Sequence, residues 1–194
     1  MKKNFTRFIK AGLYSICLTM VSQVSAGNIV ADYPKTAIDP NGNVVAVWEA
    51  LDDVTNNWKI QTATFDPATT TWSTPSDIYA PVNQGAYTPN IVLKSSGDGL
   101  SVWIGLDFTT GNAMVQAAMY IAATNSWTAA QTLSDPATEY ANSDIRISVN
   151  DAGVAVVTWS SYLYNDPIPT TAIRSVNAVI DSSNTWSSPI KISG

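Results

Sequence analysis

A glycine and a tryptophan recur together three times along the chain, and this repeat limits the possible folds more than any other feature. The segments DPNGNVVAVW, KSSGDGLSVW and NDAGVAVVTW end at Trp48, Trp103 and Trp159, and in each a glycine lies six residues before the tryptophan. A second tryptophan series, in TTTWSTP, TNSWTAA and SNTWSSP, has spacings of 55 and 59 residues, against 55 and 56 in the first. Two markers with one period indicate three tandem repeats.

Each repeat is predicted to form four short β-strands. The first strand leads into a tight turn, in which the glycine suits a left-handed position. The second strand is an almost unbroken apolar run such as VVAVW, which is typical of a strand buried on both faces. The third is KIQTATF or its equivalent, and the fourth follows the second tryptophan. The predicted first strands are Thr36 to Asp39, Ile91 to Lys94 and Ile145 to Val149.

The predicted fold class is all-β, with three tandem four-stranded β-propeller blades. Blades stack face to face, which accounts for doubly buried inner strands and for a repeat of this length. A β-sandwich is the alternative, but it requires alternating inward and outward residues and gives no reason for repetition. The blades are expected at about residues 34–79, 89–133 and 145–193.

Two segments resemble the Asp-boxes of the sialidase-like, or BNR-repeat, β-propellers. They are TFDPATTTW (Thr64 to Trp72) and VIDSSNTW (Val179 to Trp186). In that family an aspartate and a following tryptophan brace the turn between the third and fourth strands. Asp181 and Trp186 have the family separation of five residues, whereas Asp66 and Trp72 have one more, and Ala122 replaces the aspartate in the middle repeat.

The resemblance implies a fold and not an activity. The boxes lack their glycine, and sialidases hold the substrate carboxylate with three arginines. After residue 26 this chain has two arginines, Arg146 and Arg174. Sialidase activity is therefore not expected.

The N-terminal segment is predicted to be a signal peptide spanning residues 1–26. Four basic residues precede an apolar stretch from Ala11 to Val21, and Val24-Ser25-Ala26 has the small-x-small pattern of a cleavage site. A membrane anchor is the alternative, but the apolar stretch is shorter than the roughly 20 residues that span a bilayer. We expect cleavage after Ala26 and a secreted or periplasmic protein, without membrane insertion. Cys17 would be removed, leaving a mature chain without disulfides.

Composition excludes several functions. The chain has no histidine, which removes histidine-based nucleophilic catalysis and histidine metal sites. After cleavage, six basic residues would face fifteen acidic ones, a net charge of −9. Such a surface disfavours nucleic acids and anionic membranes, while cations, cationic peptides and neutral sugars remain possible partners. No metal or organic cofactor is indicated.

Three blades are too few to close a propeller, which usually has about four to eight. The outer faces of the first and last blades are expected to be apolar and to require a partner. A homodimer forming a six-bladed ring is the leading hypothesis. A trimer of nine blades, an open stack covered by another protein, and a truncated relic of a longer propeller are the alternatives.

The loops between second and third strands, and the links between blades, share one rim, where a ligand site is expected. Carboxylates and aromatic rings on this rim are what sugar binding uses, although solvated loops of acidic proteins have the same mixture. The links contribute Tyr87, Asp135, Glu139 and Tyr140. The candidate ligand-binding residues are Glu49, Asp52, Asp53, Asp107, Phe108, Tyr162, Tyr164 and Asp166.

The leading functional hypothesis is an exported, non-enzymatic binding module whose rim recognises a glycan or a protein. A propeller-type glycoside hydrolase is the alternative, with Glu49 paired with Asp52 or Asp53 as acid and base. A structural envelope protein without a small ligand is a third hypothesis. No catalytic or metal-binding residue is assigned.

Overall fold

A computed structural model describes residues 30–142, 144–164, 171–181 and 183–193. The predicted signal peptide and Cys17 lie outside these ranges. Within them the chain forms three antiparallel β-sheets, and its only helical element is a short 3-10 turn at Ala122–Thr124. None of these residues belongs to a helix long and apolar enough to cross a membrane. The prediction of an all-β chain with three sheets is confirmed.

The three sheets follow one another along the chain. In each, the strands cross the sheet in sequence order, from the inner strand to the outer edge. Sheet one contains β1 (Ala31–Ile38), β2 (Val44–Leu51), β3 (Trp58–Asp66), β4 (Thr71–Trp72) and β5 (Ser76–Tyr79). Sheet two contains β6 (Gln84–Leu93), β7 (Gly99–Asp107), β8 (Ala113–Ile121), β9 (Ser126–Trp127) and β10 (Gln131–Thr132). Sheet three contains β11 (Glu139–Ala141), β12 (Arg146–Val149), β13 (Val154–Leu163), β14 (Thr171–Val179) and β15 (Ile190–Lys191).

The turns between first and second strands have the predicted geometry. Gly42, Gly97 and Gly153 have φ of 90°, 91° and 82°, the left-handed region that favours glycine. In each turn the glycine N–H donates to the carbonyl three residues earlier, for example from Gly42 to Asp39 at 3.1 Å. The Asp39 carboxylate also accepts the N–H of Asn41 at 2.8 Å, so DPNGN is a turn.

The inner strands are longer than predicted. β1 begins at Ala31 rather than Thr36, and β6 begins at Gln84 rather than Ile91. In both strands the pairing register shifts once, between Asp32 and Lys35 in β1 and between Tyr87 and Asn90 in β6. These shifts are β-bulges, which bend the inner strand where it approaches the rim.

The predicted fourth strands are also divided. In sheet one, β4 and β5 are separate short strands that both pair with β3, and β9 and β10 repeat this arrangement on β8. Between the short strands, Ser73 and Thr128 donate their backbone N–H groups to the third strand, and their hydroxyl oxygens accept its N–H groups, in place of regular ladder pairing. An edge broken in this way offers no long row of unpaired backbone groups, which limits unwanted strand pairing.

Apolar faces packed between neighbouring sheets form the core. Trp103 of sheet two is fully buried with Ile60 of sheet one, and its ring centroid lies 5.5 Å from that of Tyr79. Trp159 of sheet three is buried in the cluster that joins sheets two and three. The prediction that the first tryptophan series is core is confirmed.

Double burial of the second strand holds for two sheets and fails for the third. Every residue of β2 except Leu51 is buried, and β7 is buried from Gly99 to Gly105. In β13 buried and more accessible residues alternate instead. The accessible side of β13 faces away from sheet two, whereas the outer side of β2 is closed within sheet one by the cluster of Trp48 with Ala46, Ala50 and Ala63.

The Asp-box-like segments do form the turns between third and fourth strands. Asp66 accepts the N–H of Ala68 at 2.8 Å, and Asp181 accepts the N–H of Ser183 at 2.8 Å. Trp72 pairs across the turn with Phe65, and their ring centroids are 5.3 Å apart. In the middle repeat the N–H of Ala122 donates instead to Asp98 at 2.9 Å. The aspartate's absence is therefore compensated from the neighbouring turn.

Replacing Gly97 by alanine tests the repeated turn. The positive φ and a Cβ placed 3.2 Å from Asp39 Oδ2 should lower the free energy of unfolding, by about 1–2 kcal/mol. Urea denaturation followed by tryptophan fluorescence measures the change. Ser95→Ala, at an exposed position in the same turn, is the control and should be neutral. Equal stability of the two variants would contradict the role of the turn.

Candidate functional site

The rim predicted from the sequence is formed by the loops after β2 and β7 and by the links between sheets. The loop at residues 52–57 lies beside the link at 80–83, and the loop at 108–112 lies beside the link at 133–138. Both loops have the sequence pattern D-x-x-T-x-N with its residues 55 apart.

The first aspartate of each loop stabilises the loop itself. Asp52 Oδ1 accepts the backbone N–H groups of Val54 and Thr55 at 3.1 and 2.9 Å, and its other oxygen lies 3.1 Å from Lys59 Nζ. Asp107 Oδ1 accepts the N–H of Thr109 at 2.7 Å. These hydrogen bonds lower the pKa of Asp107 and hold that of Asp52 at about 2. Both carboxylates are acceptors within their own turns.

The last asparagine of each loop ties it to the neighbouring link. Asn57 Nδ2 donates to the Pro81 carbonyl at 3.4 Å, and Asn112 Nδ2 donates to the Pro136 carbonyl at 3.0 Å. Sequence reasoning missed this pair. The repeated D-x-x-T-x-N pattern was the signal that could have identified it, because loop and link are 24 residues apart in both cases.

Exposed aromatic rings lie along the rim of sheets two and three. Phe108 and Tyr164 occupy equivalent positions after their strands, and Tyr140 pairs with Tyr162 across neighbouring strands. The Tyr164 hydroxyl donates to Asn112 Oδ1 at 3.0 Å, which links the two sheets. All four side chains are between 37% and 48% exposed. We refer to Phe108, Tyr140, Tyr162 and Tyr164 as the rim aromatics.

The other rim candidates have different surroundings. Asp53 is exposed at the position equivalent to Phe108. Asp135 caps its own turn by accepting the Ala137 N–H at 3.0 Å. Asp166 lies outside the described residues.

Glu139, in the link between sheets two and three, is buried in an ion pair. It is 1% exposed, and its Oε2 accepts a hydrogen bond from Arg174 Nε at 2.8 Å. The other arginine, Arg146, pairs with Asp144 at 2.7 Å on the surface. The two arginines of sheet three therefore lie apart in separate ion pairs.

Glu49 lies between sheets one and two, one residue after Trp48. Its side chain is buried, and Oε2 accepts the backbone N–H of Thr88 at 2.7 Å. Thr88 belongs to the bulge of β6 and has φ of 49°, a strained value for a β-branched residue. Its hydroxyl is buried without a hydrogen-bond partner. Strained backbone and an unsatisfied polar atom beside a buried carboxyl group mark a candidate reactive site.

The carboxyl group facing Glu49 is that of Asp32. The two residues are direct partners in the β1–β2 register. Burial raises the pKa of Glu49, the negative charge of Asp32 raises it further, and the Thr88 hydrogen bond lowers it in part. The expectation that Glu49 pairs with Asp52 or Asp53 is not met, because Asp52 is bound to Lys59 and to its own turn.

Tyr87 lies near Glu49, and Trp58 lies beside Tyr87. The pKa of Tyr87 is raised by burial and by the charge of Glu49, and its ring centroid is 6.3 Å from that of Trp58. A Cβ atom on Gly85 would collide with the Tyr87 hydroxyl, so glycine is needed there for this ring position. Glu49, Asp32, Tyr87, Thr88 and Trp58 are hereafter the Glu49 site.

The described residues contain no group of three or more cysteine, aspartate or glutamate side chains placed to hold a metal ion. The Glu49 site has one buried and one exposed carboxyl group, with a tyrosine and a tryptophan beside them. Such an arrangement can donate or accept protons and can hydrogen-bond hydroxyl groups.

Comparison with known proteins identifies the fold. No protein-family model and no curated protein matches the chain. Among solved structures, 80% of the chain matches 36% of a Hadza microbial sialidase with a TM-score of 0.59 and 10% identity. The same share matches 40% of a polysaccharide lyase with a TM-score of 0.57 and 9% identity. An endo-arabinase from Bacteroides thetaiotaomicron gives 0.51 and 11%, covering 84% of this chain and 63% of that one.

These likenesses place the chain among proteins with a sialidase-like, propeller-type fold, in agreement with the three stacked sheets. The chain spans less than two thirds of the length of each of these structures. At such low identity the comparison defines the fold alone.

The raised pKa of Glu49 predicts a pH-dependent stability. A carboxyl group whose pKa is higher in the folded state stabilises the fold while protonated, and this contribution is lost as pH rises through the folded pKa, above 4.5. Glu49→Gln keeps an acceptor for Thr88 and removes the charge. Its free energy of unfolding, relative to the parent protein, should therefore increase from pH 4 to pH 8 in chemical denaturation.

Asp52→Asn provides a control of opposite sign. Because the pKa of Asp52 is lowered to about 2, its stabilising contribution is present at neutral pH and is lost in acid. This variant should be less stable than the parent at pH 7 and should approach it near pH 2. A Glu49→Gln curve parallel to that of the parent would show that Glu49 does not titrate abnormally.

Proposed function

We propose that this protein is an exported glycan-binding protein whose ligand contacts the rim aromatics. The observation that carries the proposal is the row of exposed rings on one rim, across sheets two and three. Aromatic rings stack on the apolar faces of sugars, while nearby polar groups accept hydrogen bonds from sugar hydroxyls. Exposed rings at equivalent loop positions contribute little to the core, so their location favours a role in binding.

The charge of the chain supports a neutral or weakly basic ligand. With fifteen acidic residues, all beyond the predicted signal peptide, the surface disfavours highly anionic polymers. Neutral oligosaccharides meet no such repulsion. The solved structures of similar fold include a sialidase, a polysaccharide lyase and an endo-arabinase, and their carbohydrate substrates support a glycan ligand by analogy of fold.

Phe108→Ala tests the binding proposal. A glycan array probed with the purified protein should identify ligands, and titration with the strongest of them measures the dissociation constant. Loss of one stacking ring should weaken binding about tenfold, equivalent to about 1.4 kcal/mol. Val82→Ala changes an exposed apolar side chain on the same rim without a ring and should bind like the parent. Absence of binding to any glycan would favour the structural-protein hypothesis.

A glycoside hydrolase is the second proposed function, and the Glu49 site favours it. A buried carboxyl group with a raised pKa has the property required of a general acid, and Asp32 would supply the second carboxylate. The general acid would protonate the glycosidic oxygen as the bond to the anomeric carbon breaks. Asp32 would then take a proton from the attacking water.

Glu49→Gln separates the two functions. In a hydrolase this change removes the proton donor, and turnover of an array-identified oligosaccharide should fall by at least about 100-fold. In a binding protein the same variant should keep its affinity for that oligosaccharide. Reducing-end assays and binding titrations on both proteins distinguish these outcomes. Undetectable turnover by the parent protein would reject the hydrolase proposal.

A further inference from the structure

The face of sheet three directed away from sheet two is accessible and carries several apolar side chains, together with the polar residues Thr158, Ser175 and Asn177. Val156, Ile173 and Ile192 point to this side and are 39%, 38% and 55% exposed. Val154 and Val179 lie on the same face and are also exposed. We call this the trailing face of sheet three, because it is the side away from sheet two.

The internal repeat identifies the counterparts of this face. Ile173 pairs with the residue after the repeated tryptophan, as Ile60 and Val115 do in sheets one and two. The N–H of Ile192 donates to the Ile173 carbonyl, just as the N–H of Leu133 donates to the Val115 carbonyl. Ile60, Val115 and Leu133 are buried, whereas Ile173 and Ile192 are exposed. The trailing faces of the first two sheets are thus covered, and the third is not.

The same comparison shows what covers a trailing face. Ile60 of sheet one packs in a cluster with Trp103 of the following sheet, and Val115 of sheet two packs in a cluster with Trp159. The complementary surface is therefore the opposite, leading face of a sheet, which bears the tryptophan. By this rule a Trp-bearing leading face should cover the trailing face of sheet three.

The chain has one such leading face that no other described sheet engages. Trp48 clusters with Ala46, Ala50 and Ala63, and every member of this cluster belongs to sheet one. The centre of this face is closed within one chain, since Trp48 is 8% exposed and the three alanines at most 1%. A partner would reach it at the inner edge, where Ile38 pairs with Val44 and is 49% exposed. Each chain thus has one trailing face and one leading face with the chemistry to fit each other.

We propose that a second copy of this chain covers the trailing face of sheet three with the Trp48 face of its sheet one. Two copies joined head to tail bring six sheets together, within the about four to eight blades of closed propellers. The two interfaces are then identical and related by a twofold axis. This inference stands on the repeat geometry and is independent of the proposed ligand.

Light scattering coupled to size-exclusion chromatography tests the association. The purified protein should have twice the mass of its own chain as measured by mass spectrometry. Ile192→Asp places a charge on a side chain already exposed in the single chain, so it should yield a folded monomer, verified by circular dichroism. Val54→Asp, an equally apolar but rim-loop position, should remain dimeric. A monomeric parent protein would overturn the proposal.

Cysteine cross-linking tests the head-to-tail arrangement. Glu49 contacts Thr88 across the interface of sheets one and two, and Ser160 and Tyr33 occupy the equivalent positions at the outer faces. In a Cys17→Ser background, Ser160→Cys chains mixed with Tyr33→Cys chains should form interchain disulfides. Cross-linking of Ser160→Cys chains among themselves would indicate that two sheet-three faces pack together. That result, or no cross-link in a protein that is dimeric, would refute the head-to-tail interface.

Discussion

Face-to-face packing of neighbouring sheets is the interaction on which the structure depends. A single sheet of this kind buries little by itself, and the described chain contains no long helix that could cover it. Stacking places Trp103 against Ile60 and Trp159 among the side chains of sheet two. Each fully buried aliphatic side chain contributes roughly 1.5–3 kcal/mol. The described residues contain no cysteine, so this packing stabilises them without disulfide bonds.

The indole N–H groups of the buried tryptophans differ in their hydrogen bonding. The Trp103 indole N–H donates to Gln116 Oε1 at 3.0 Å, and Gly105 leaves the space that Gln116 occupies. In sheet three Arg174 replaces Gln116, and the indole nitrogen of Trp159 has no hydrogen-bond partner among the described atoms. Both interfaces therefore share the packing of a buried tryptophan, whereas the hydrogen bond to the indole N–H is present in one and absent in the other among the described atoms.

The repeat made the three sheets, the glycine turns and the buried tryptophans predictable, because each follows from local periodicity. The early part of each inner strand was not predictable in the same way. Pro34 and Pro89 interrupt these segments and disfavour a regular strand. The structure accommodates both prolines at the bulges, where the ladder is already irregular. The strand therefore continues on both sides of a residue that normally ends it.

The site was predictable only at the level of residue type. The sequence predicts Asp52 and Asp107 as ligand-binding carboxylates, yet their hydrogen bonds are with their own turns. The sequence indicates Glu49 but not its partners, because Tyr87 and Thr88 reach it through the packing of a neighbouring sheet. No local pattern encodes such contacts. Turn capping and ligand binding use the same residues, and only the three-dimensional contacts separate them.

Glu49 is a polar residue at a position where the second repeat has an apolar one. The equivalent position in sheet two is Ile104, which packs in the interface with sheet three. An apolar side chain thus suffices for stacking, and burying an ionised carboxylate there would cost several kcal/mol. Glu49 moderates that cost through a raised pKa and a bond to Thr88, but it adds nothing to packing that isoleucine lacks. The hydrogen bond from the Thr88 N–H is the contact that Glu49 adds at this interface and that isoleucine could not provide.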